Sequence, residues 1–170
     1  MEFIDTNEGR PEEALPSEAM SYNGVYLEKV IPGYRTLYVS GRETMTAEIN
    51  ENTTGAANGS RFSYKRYPPR TITVGYQLIA ESNEAFRNAF NKMCSILDAE
   101  QVKVIFNDES DKYFIGTYQG GDSVDPGRNS ITSEFEIYCT DPFKYSVNET
   151  EVNVQADGSF AIKYNGTYPS

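Results

Sequence analysis

The residues best placed to do chemistry are the carboxylates of Asp108, Glu109 and Asp111, which lie within five consecutive positions. Clustered carboxylates can bind calcium when a loop places oxygen ligands at alternate positions around a central glycine, with a glutamate at its end. This segment has none of those three features. It lies instead between two predicted strands, where short polar side chains favour turns. The pattern therefore predicts a β-hairpin turn and no metal site.

The composition removes most of the catalytic alternatives. The chain has 170 residues and no histidine, which excludes Ser-His-Asp and Cys-His nucleophiles and most zinc sites. It has no phosphate-binding loop, dinucleotide-binding turn or serine-hydrolase elbow. Its 25 acidic residues make chance carboxylate pairs certain, so such pairs carry no weight. We expect no catalytic residue, no cofactor and no enzymatic activity.

One stretch combines cationic and aromatic side chains, as platforms for single-stranded nucleic acid do. The net charge of −10 opposes both that reading and binding to an anionic membrane. Ion pairing with acidic groups is the preferred interpretation. The stretch comprises Arg61, Phe62, Tyr64, Lys65, Arg66, Tyr67 and Arg70.

The sequence predicts synthesis in the cytoplasm and a soluble product. Its N-terminus lacks the basic and apolar regions of a secretory signal. No apolar run reaches the length of a transmembrane helix. Cys94 and Cys139 are expected to be reduced and buried.

Alternation of apolar and polar residues predicts a mostly β domain. Residues 70–80 give the clearest signal, with Ile72, Val74, Tyr76 and Leu78 on one face. Leu37 and Val39 likewise alternate with more polar neighbours in residues 35–40. Further strands are predicted at residues 102–106, 113–118 and 131–139, and in a final hairpin of 150–154 and 160–164. The predicted fold is a β-sandwich or part-barrel with one flanking helix, of the α+β class.

The single predicted helix spans residues 83–98. Ser82 or Asn83 can cap it, and Glu84 favours its first turn. Apolar residues recur at helical spacing and should pack on a sheet as part of the core. The predicted packing residues are Phe86, Phe90, Met93 and Leu97.

A long hairpin is predicted over residues 43–67, with a small, polar tip at 50–60. An isolated two-stranded hairpin is at best marginally stable in water. This one has few apolar residues on either face, so it needs another surface to lie against. Its own domain and a neighbouring subunit are the two alternatives.

Several segments, in order, resemble the distal tail proteins (Dit) of siphophages that infect Gram-positive bacteria. The resemblance covers roughly residues 22–168. It rests on residues 22–27, 31–43, 65–74, 105–109, 112–116 and 135–145 and on the helix around Phe86.

This resemblance implies a hexameric ring at the tail tip, assembled in the host cytoplasm and carried in the virion. The ring joins the tail tube protein to the tail-associated lysin or fibre and to receptor-binding proteins, and DNA passes through its channel without specific binding. In that family an extended hairpin, the belt, laps onto the next subunit. Here the belt corresponds to about residues 43–67. The suspected interface residues are Met45, Ile49, Asn52, Phe62, Tyr64 and Arg66.

The resemblance also divides the chain. Residues 1–21 form an acidic arm, expected to be poorly ordered, and residues 22–164 form the β-sandwich domain. Residues 165–170 resemble a linker into a galectin-like C-terminal domain that this chain lacks. The alternative function, from another class, is a monomeric β-sandwich that binds carbohydrate through exposed tyrosines.

Overall fold

The structure is a computed structural model that describes residues 15–56, 58–123, 127–149, 159–161 and 166. Most of the predicted final hairpin, most of the linker and residues 1–14 of the acidic arm lie outside these ranges. The strands are β1 Met20–Tyr22, β2 Val25–Tyr26, β3 Tyr34–Ser40, β4 Glu48–Thr53, β5 Ser60–Arg66, β6 Arg70–Ile79, β7 Val102–Phe106, β8 Lys112–Gly121, β9 Ser130–Cys139 and β10 Tyr145–Ser146. The helices are α1 Leu27–Val30 and α2 Asn83–Leu97, with a 3-10 turn at Asn107–Glu109.

This architecture confirms the prediction of a mostly β domain with a flanking helix. The sequence did not predict the helical turn α1. After the Asn23-Gly24 turn and the two-residue strand β2, the chain closes into this single turn. Both turn residues have positive φ angles, 52° and 81°. Such angles match the tight turns that join antiparallel strands, here β1 and β2.

The strands form one antiparallel sheet in the order β2-β1-β7-β8-β9-β6-β3, and β10 pairs with the start of β8. Strand β8 belongs to both halves of this sheet. Its residues 114–116 pair with β7, while residues 117–121 pair with β9. Strands β4 and β5 form a separate two-stranded ribbon.

The two halves share one core, which receives side chains from β1, β7 and β8 and from β3, β6 and β9. Tyr22 is fully buried between them. Its hydroxyl donates to the carbonyl of Ala99 at 2.5 Å and accepts from the amide of Tyr118 at 3.1 Å. A buried hydroxyl needs such partners because losing water is otherwise unfavourable. Tyr22 therefore links the end of α2 to β8.

Helix α2 begins at Asn83, directly after its N-cap residue. Ser82 is the N-cap, and its hydroxyl accepts a hydrogen bond from the amide of Ala85 at 3.1 Å. Of the four predicted packing residues, Phe86, Met93 and Leu97 are buried. Phe90 is half-buried and stacks on Phe86, with ring centroids 6.2 Å apart. The helix thus covers the core through one apolar face.

The prediction that Leu37 lies on the same face of β3 as Val39 is wrong. The pairing of β3 with β6 shifts register between Thr36 and Tyr38, which marks a β-bulge. A bulge inserts one residue and reverses the alternation beyond it. Val39 is consequently buried, whereas Leu37 is 42% exposed.

The prediction that both cysteines are buried is wrong for one of them. Both thiols are free, but only Cys139 is buried, and Cys94 lies exposed on α2. Burial raises the pKa of the Cys139 thiol to about 11. In the described part of the chain, no helix is both long and apolar enough to cross a membrane.

Candidate subunit interface

The ribbon of β4 and β5, called the belt below, is exposed at every residue of both strands. Its pairs run from Glu48 opposite Arg66 to Thr53 opposite Ser60. Strand β4 extends three residues beyond the predicted start of the soft tip, because backbone pairing continues through polar side chains. No other element that the structure describes covers either strand. A two-stranded ribbon alone is only marginally stable in water, so the belt needs another surface to pack against.

The register of the belt decides which side chains share a face. Pairing shifts between Asn50 and Glu51, so Ser63 forms a bulge in β5. Alternation then puts Ile49 and Phe62 on one face and Tyr64 on the other. Ile49 and Phe62 are each 63% exposed, and Tyr64 is 52% exposed. One face of the belt therefore carries two exposed apolar side chains, Ile49 and Phe62, beside Glu51 and Lys65.

The opposite face of the belt carries Tyr64 and mostly polar side chains, some of which form hydrogen bonds with one another. Arg66 donates to Glu48 at 2.6 Å, and the Asn52 side chain donates to Ser63 at 2.9 Å. A shallow cleft beside the ribbon is lined by Glu48, Ile49, Asn50, Tyr64 and Arg66. These contacts bury no large side chain.

The structure brings five of the six suspected interface residues into the belt strands, and Met45 is the exception. Met45 is half-buried and precedes β4 by three residues. It lies in the stem that leads from the core to the belt. The other five residues are Ile49, Asn52, Phe62, Tyr64 and Arg66.

The root of the belt is held by Arg42, which sequence reasoning missed. Arg42 is only 8% exposed. Its guanidinium donates to both oxygens of Asp108, at 2.7 and 2.8 Å, and to Glu18 at 3.1 Å. It also lies 4.5 Å from the ring centroid of Phe106. Two carboxylates and an aromatic face stabilise a cation whose burial alone would be unfavourable, although its Nε has no hydrogen-bond partner within the ranges that the structure describes.

The second stem of the belt is held by Arg70. Its guanidinium donates to the carbonyls of Gly41 and Arg42, at 3.2 and 3.0 Å. Gly41 has a φ of +86°, and a Cβ there would lie 2.4 Å from the carbonyl oxygen of Thr71. Only glycine fits this close approach. The two stems are therefore fixed to each other where they leave the core.

The carboxylates of residues 108–111, whose clustering could suggest a calcium site, lie close to basic side chains. Hydrogen bonds from Arg42 lower the pKa of the Asp108 carboxyl below its ordinary value. Burial would raise the pKa of Glu109, but Lys112 and Lys144, at 2.8 and 2.5 Å, lower it overall. No group of three or more metal-binding side chains occurs among the residues that the structure describes. The segment anchors the belt root.

Comparisons with known proteins identify a family and a shared fold. Residues 23–139 match the family described as phage tail protein RIFT-related domain. No curated protein matches the chain. Among solved structures, Dit of phage SPP1 superposes with a TM-score of 0.67 at 22% sequence identity. It is described as a paradigm of the hub adsorption apparatus in phages infecting Gram-positive bacteria.

The SPP1 match covers 75% of this chain and 51% of the SPP1 protein, so the chain spans about half the length of that relative. The resemblance to siphophage distal tail proteins, predicted from the ordered sequence segments, is confirmed by the family match and by the shared fold. The family match alone covers more than half of the 170 residues. This chain belongs to the family of phage tail proteins with a RIFT-related domain.

Proposed function

We propose that this chain forms the ring domain of the hub at the tip of a siphophage tail. The family match and the fold shared with SPP1 Dit, a hub protein, support this role. The role is structural: the domain joins other tail proteins and catalyses no reaction. It is a component of the virion, assembled in the host cytoplasm.

The observation that carries the proposal is the belt. Eight strands pair in one sheet around a core, yet Ile49 and Phe62 point outward from the two-stranded ribbon that the described chain does not cover. Burying a side chain of this size stabilises a contact by about 1.5–3 kcal/mol. A neighbouring subunit supplies the missing surface, and six copies close a ring in which each belt lies on the next subunit.

The ring would connect the tail tube protein with the tail-associated lysin or fibre and the receptor-binding proteins, and DNA would pass through its channel. The charge of −10 per copy supports passage without adhesion, because like charges repel. Glu134 and Glu136 are exposed on one face of β9 and are candidates to line the channel.

The test is the mass in solution, measured by light scattering across a range of concentrations. We expect a hexamer for the unaltered chain. Deletion of residues 50–60, or the double change Ile49→Ser and Phe62→Ser, should dissociate it. Ile79→Ser is the matched control, because Ile79 is 50% exposed but lies outside the belt.

Each outcome bears on the proposal. A hexamer that dissociates only when the belt is altered supports it. A monomer at every concentration contradicts autonomous ring formation. A hexamer that survives both belt variants would show that another surface closes the ring.

A further inference from the structure

Strand β3 lies at one end of the sheet order, so one of its backbone edges has no neighbouring strand among the residues that the structure describes. It is seven residues long, and its sequence is rich in residues that favour strands. The bulge also leaves Leu37 42% exposed and Tyr38 41% exposed. Long edge strands with exposed apolar side chains are templates for the addition of another strand.

The outward amides of β3 are nevertheless all occupied. In an antiparallel pair, residues alternate between facing the neighbour and facing away. Tyr34, Thr36 and Val39 have amides that face away from β6. The Tyr34 amide donates to the Ile31 carbonyl at 3.2 Å. The other two donate to side chains: Thr36 to Glu28 and Val39 to Glu18, each at 3.1 Å.

The two carboxylates come from different places in the chain. Glu28 belongs to α1, immediately before β3. Glu18 precedes β1, and its second oxygen accepts from Arg42 at 3.1 Å. Residues on both sides of Glu18 are tied to the 3-10 turn, because Asn107 donates from its side chain to the Pro16 carbonyl and from its amide to the Ala19 carbonyl. Glu18 is therefore held in place against the edge.

We propose that Glu18 and Glu28 close the free edge of β3 against strand addition, and that the partner they exclude is the same edge of a second copy of this chain. An antiparallel pair of identical strands is self-complementary around a two-fold axis and needs no other partner. With Thr36 of one copy opposite Val39 of the other, such a pair would bring the exposed Leu37 and Tyr38 together across the axis. This proposal does not depend on the hexameric ring.

The first measurement is hydrogen exchange at single amides, by NMR. Glu28→Ala should make the Thr36 amide exchange about tenfold faster, which corresponds to the loss of one net hydrogen bond. Glu18→Ala should do the same at Val39. Glu28→Gln keeps an acceptor oxygen, so Thr36 should retain its protection. Unchanged protection in both alanine variants would show that these carboxylates do not hold the edge.

The second measurement is sedimentation velocity at increasing concentration. The variant with both alanine changes should associate into species larger than those of the unaltered chain, and Glu28→Ala alone should do so more weakly. The matched control removes two exposed carboxylates elsewhere, Glu100 and Glu149. It should sediment like the unaltered chain, because equal loss of charge alone does not open the edge.

A third variant separates this edge from the belt. When Phe62→Ser is added to Glu28→Ala, the new association should persist, because β3 does not use the belt. Association that disappears with Phe62→Ser would overturn the proposal. So would a double alanine variant that remains folded by circular dichroism, loses amide protection and still keeps the mass of the unaltered chain. If the double variant does not fold, the exchange and sedimentation of Glu28→Ala alone test the proposal, since this change leaves the contacts of Arg42 intact.

Discussion

The guanidinium of Arg42 and the carboxylate of Asp108 face each other through two parallel hydrogen bonds, 2.7 and 2.8 Å long. This fork geometry is the one in which arginine binds carboxylates most specifically. The cation is buried, while 37% of the Asp108 side chain is exposed. The pair joins the root of the belt to the turn after β7, two places that are distant along the chain.

Replacing Arg42 should weaken the domain more than replacing an exposed arginine. For Arg42→Ala we expect the free energy of unfolding to fall by about 2–3 kcal/mol, through lost packing and lost hydrogen bonds. Arg66→Ala is the control: its pair with Glu48 is exposed, and such pairs contribute about 0–1 kcal/mol. Urea unfolding measures both. Equal losses would mean that burial of Arg42 gives it no special role.

The contribution of Asp108 should depend on pH. Arg42 lowers the pKa of this carboxyl from an ordinary value of 3.8. A lowered pKa stabilises the folded state at pH values above 3.8, and the stabilisation disappears as pH falls through the folded-state pKa. Because Asp108 is partly exposed, we expect Asp108→Asn to lose only about 1 kcal/mol at pH 7.

Urea unfolding at pH 7, 5, 4 and 3 tests this dependence. The stability difference between the unaltered chain and Asp108→Asn should stay constant from pH 7 to 5 and shrink below pH 4. A difference that grows as the solution becomes more acidic would have the wrong sign for a lowered pKa.

Two glycines with the same backbone angle should respond differently to alanine. Gly41 and Gly59 both have a φ of +86°. A Cβ at Gly41 would lie 2.4 Å from the Thr71 carbonyl oxygen, whereas a Cβ at Gly59 would meet nothing within 4 Å. Gly59→Ala should cost about 1–2 kcal/mol, for the left-handed conformation alone. Gly41→Ala should cost more, since the second stem of the belt must also move. Thermal unfolding of the two variants compares them, and similar melting temperatures would argue against a tight root.

The buried face of α2 should show a graded response. Phe86 is fully buried, and Phe86→Ala should cost about 3–5 kcal/mol. Phe90 is half-buried, so Phe90→Ala should cost less, whereas Phe90→Asp should undock the helix by placing a charge against the core. Arg87→Ala, on the exposed face, serves as the control. An unchanged melting temperature for Phe90→Asp would refute the packing of this face.

Elements with strong local patterns could be predicted from the sequence. Strand β6 alternates without interruption, and α2 has both a capping serine and an apolar stripe. The bulge in β3 could not be predicted, because it depends on pairing with β6 and leaves no mark in the spacing of Leu37 and Val39.

The hairpin of the belt was predicted from two strand-like segments around a small, polar tip, but its root was not. Arg42 binds Glu18 and Asp108, which are 24 and 66 residues away along the chain. No local pattern connects one arginine to partners at such separations. Met45 was included among the belt residues on position alone, and the stem that contains it begins before the pairing does.

The division of β8 between two halves of the sheet has a consequence for the order of folding. Strand β1 finds its main partner in β7, and β6 finds one of its partners in β9, so most of the sheet joins segments far apart in sequence. Domains dominated by distant contacts fold slowly, typically in milliseconds to seconds. Neither half can be completed before β8 has been synthesised. A nascent chain that emerges from the ribosome therefore keeps one edge of β7 and one edge of β6 unpaired until β8 and β9 arrive, and the two halves join in one late step.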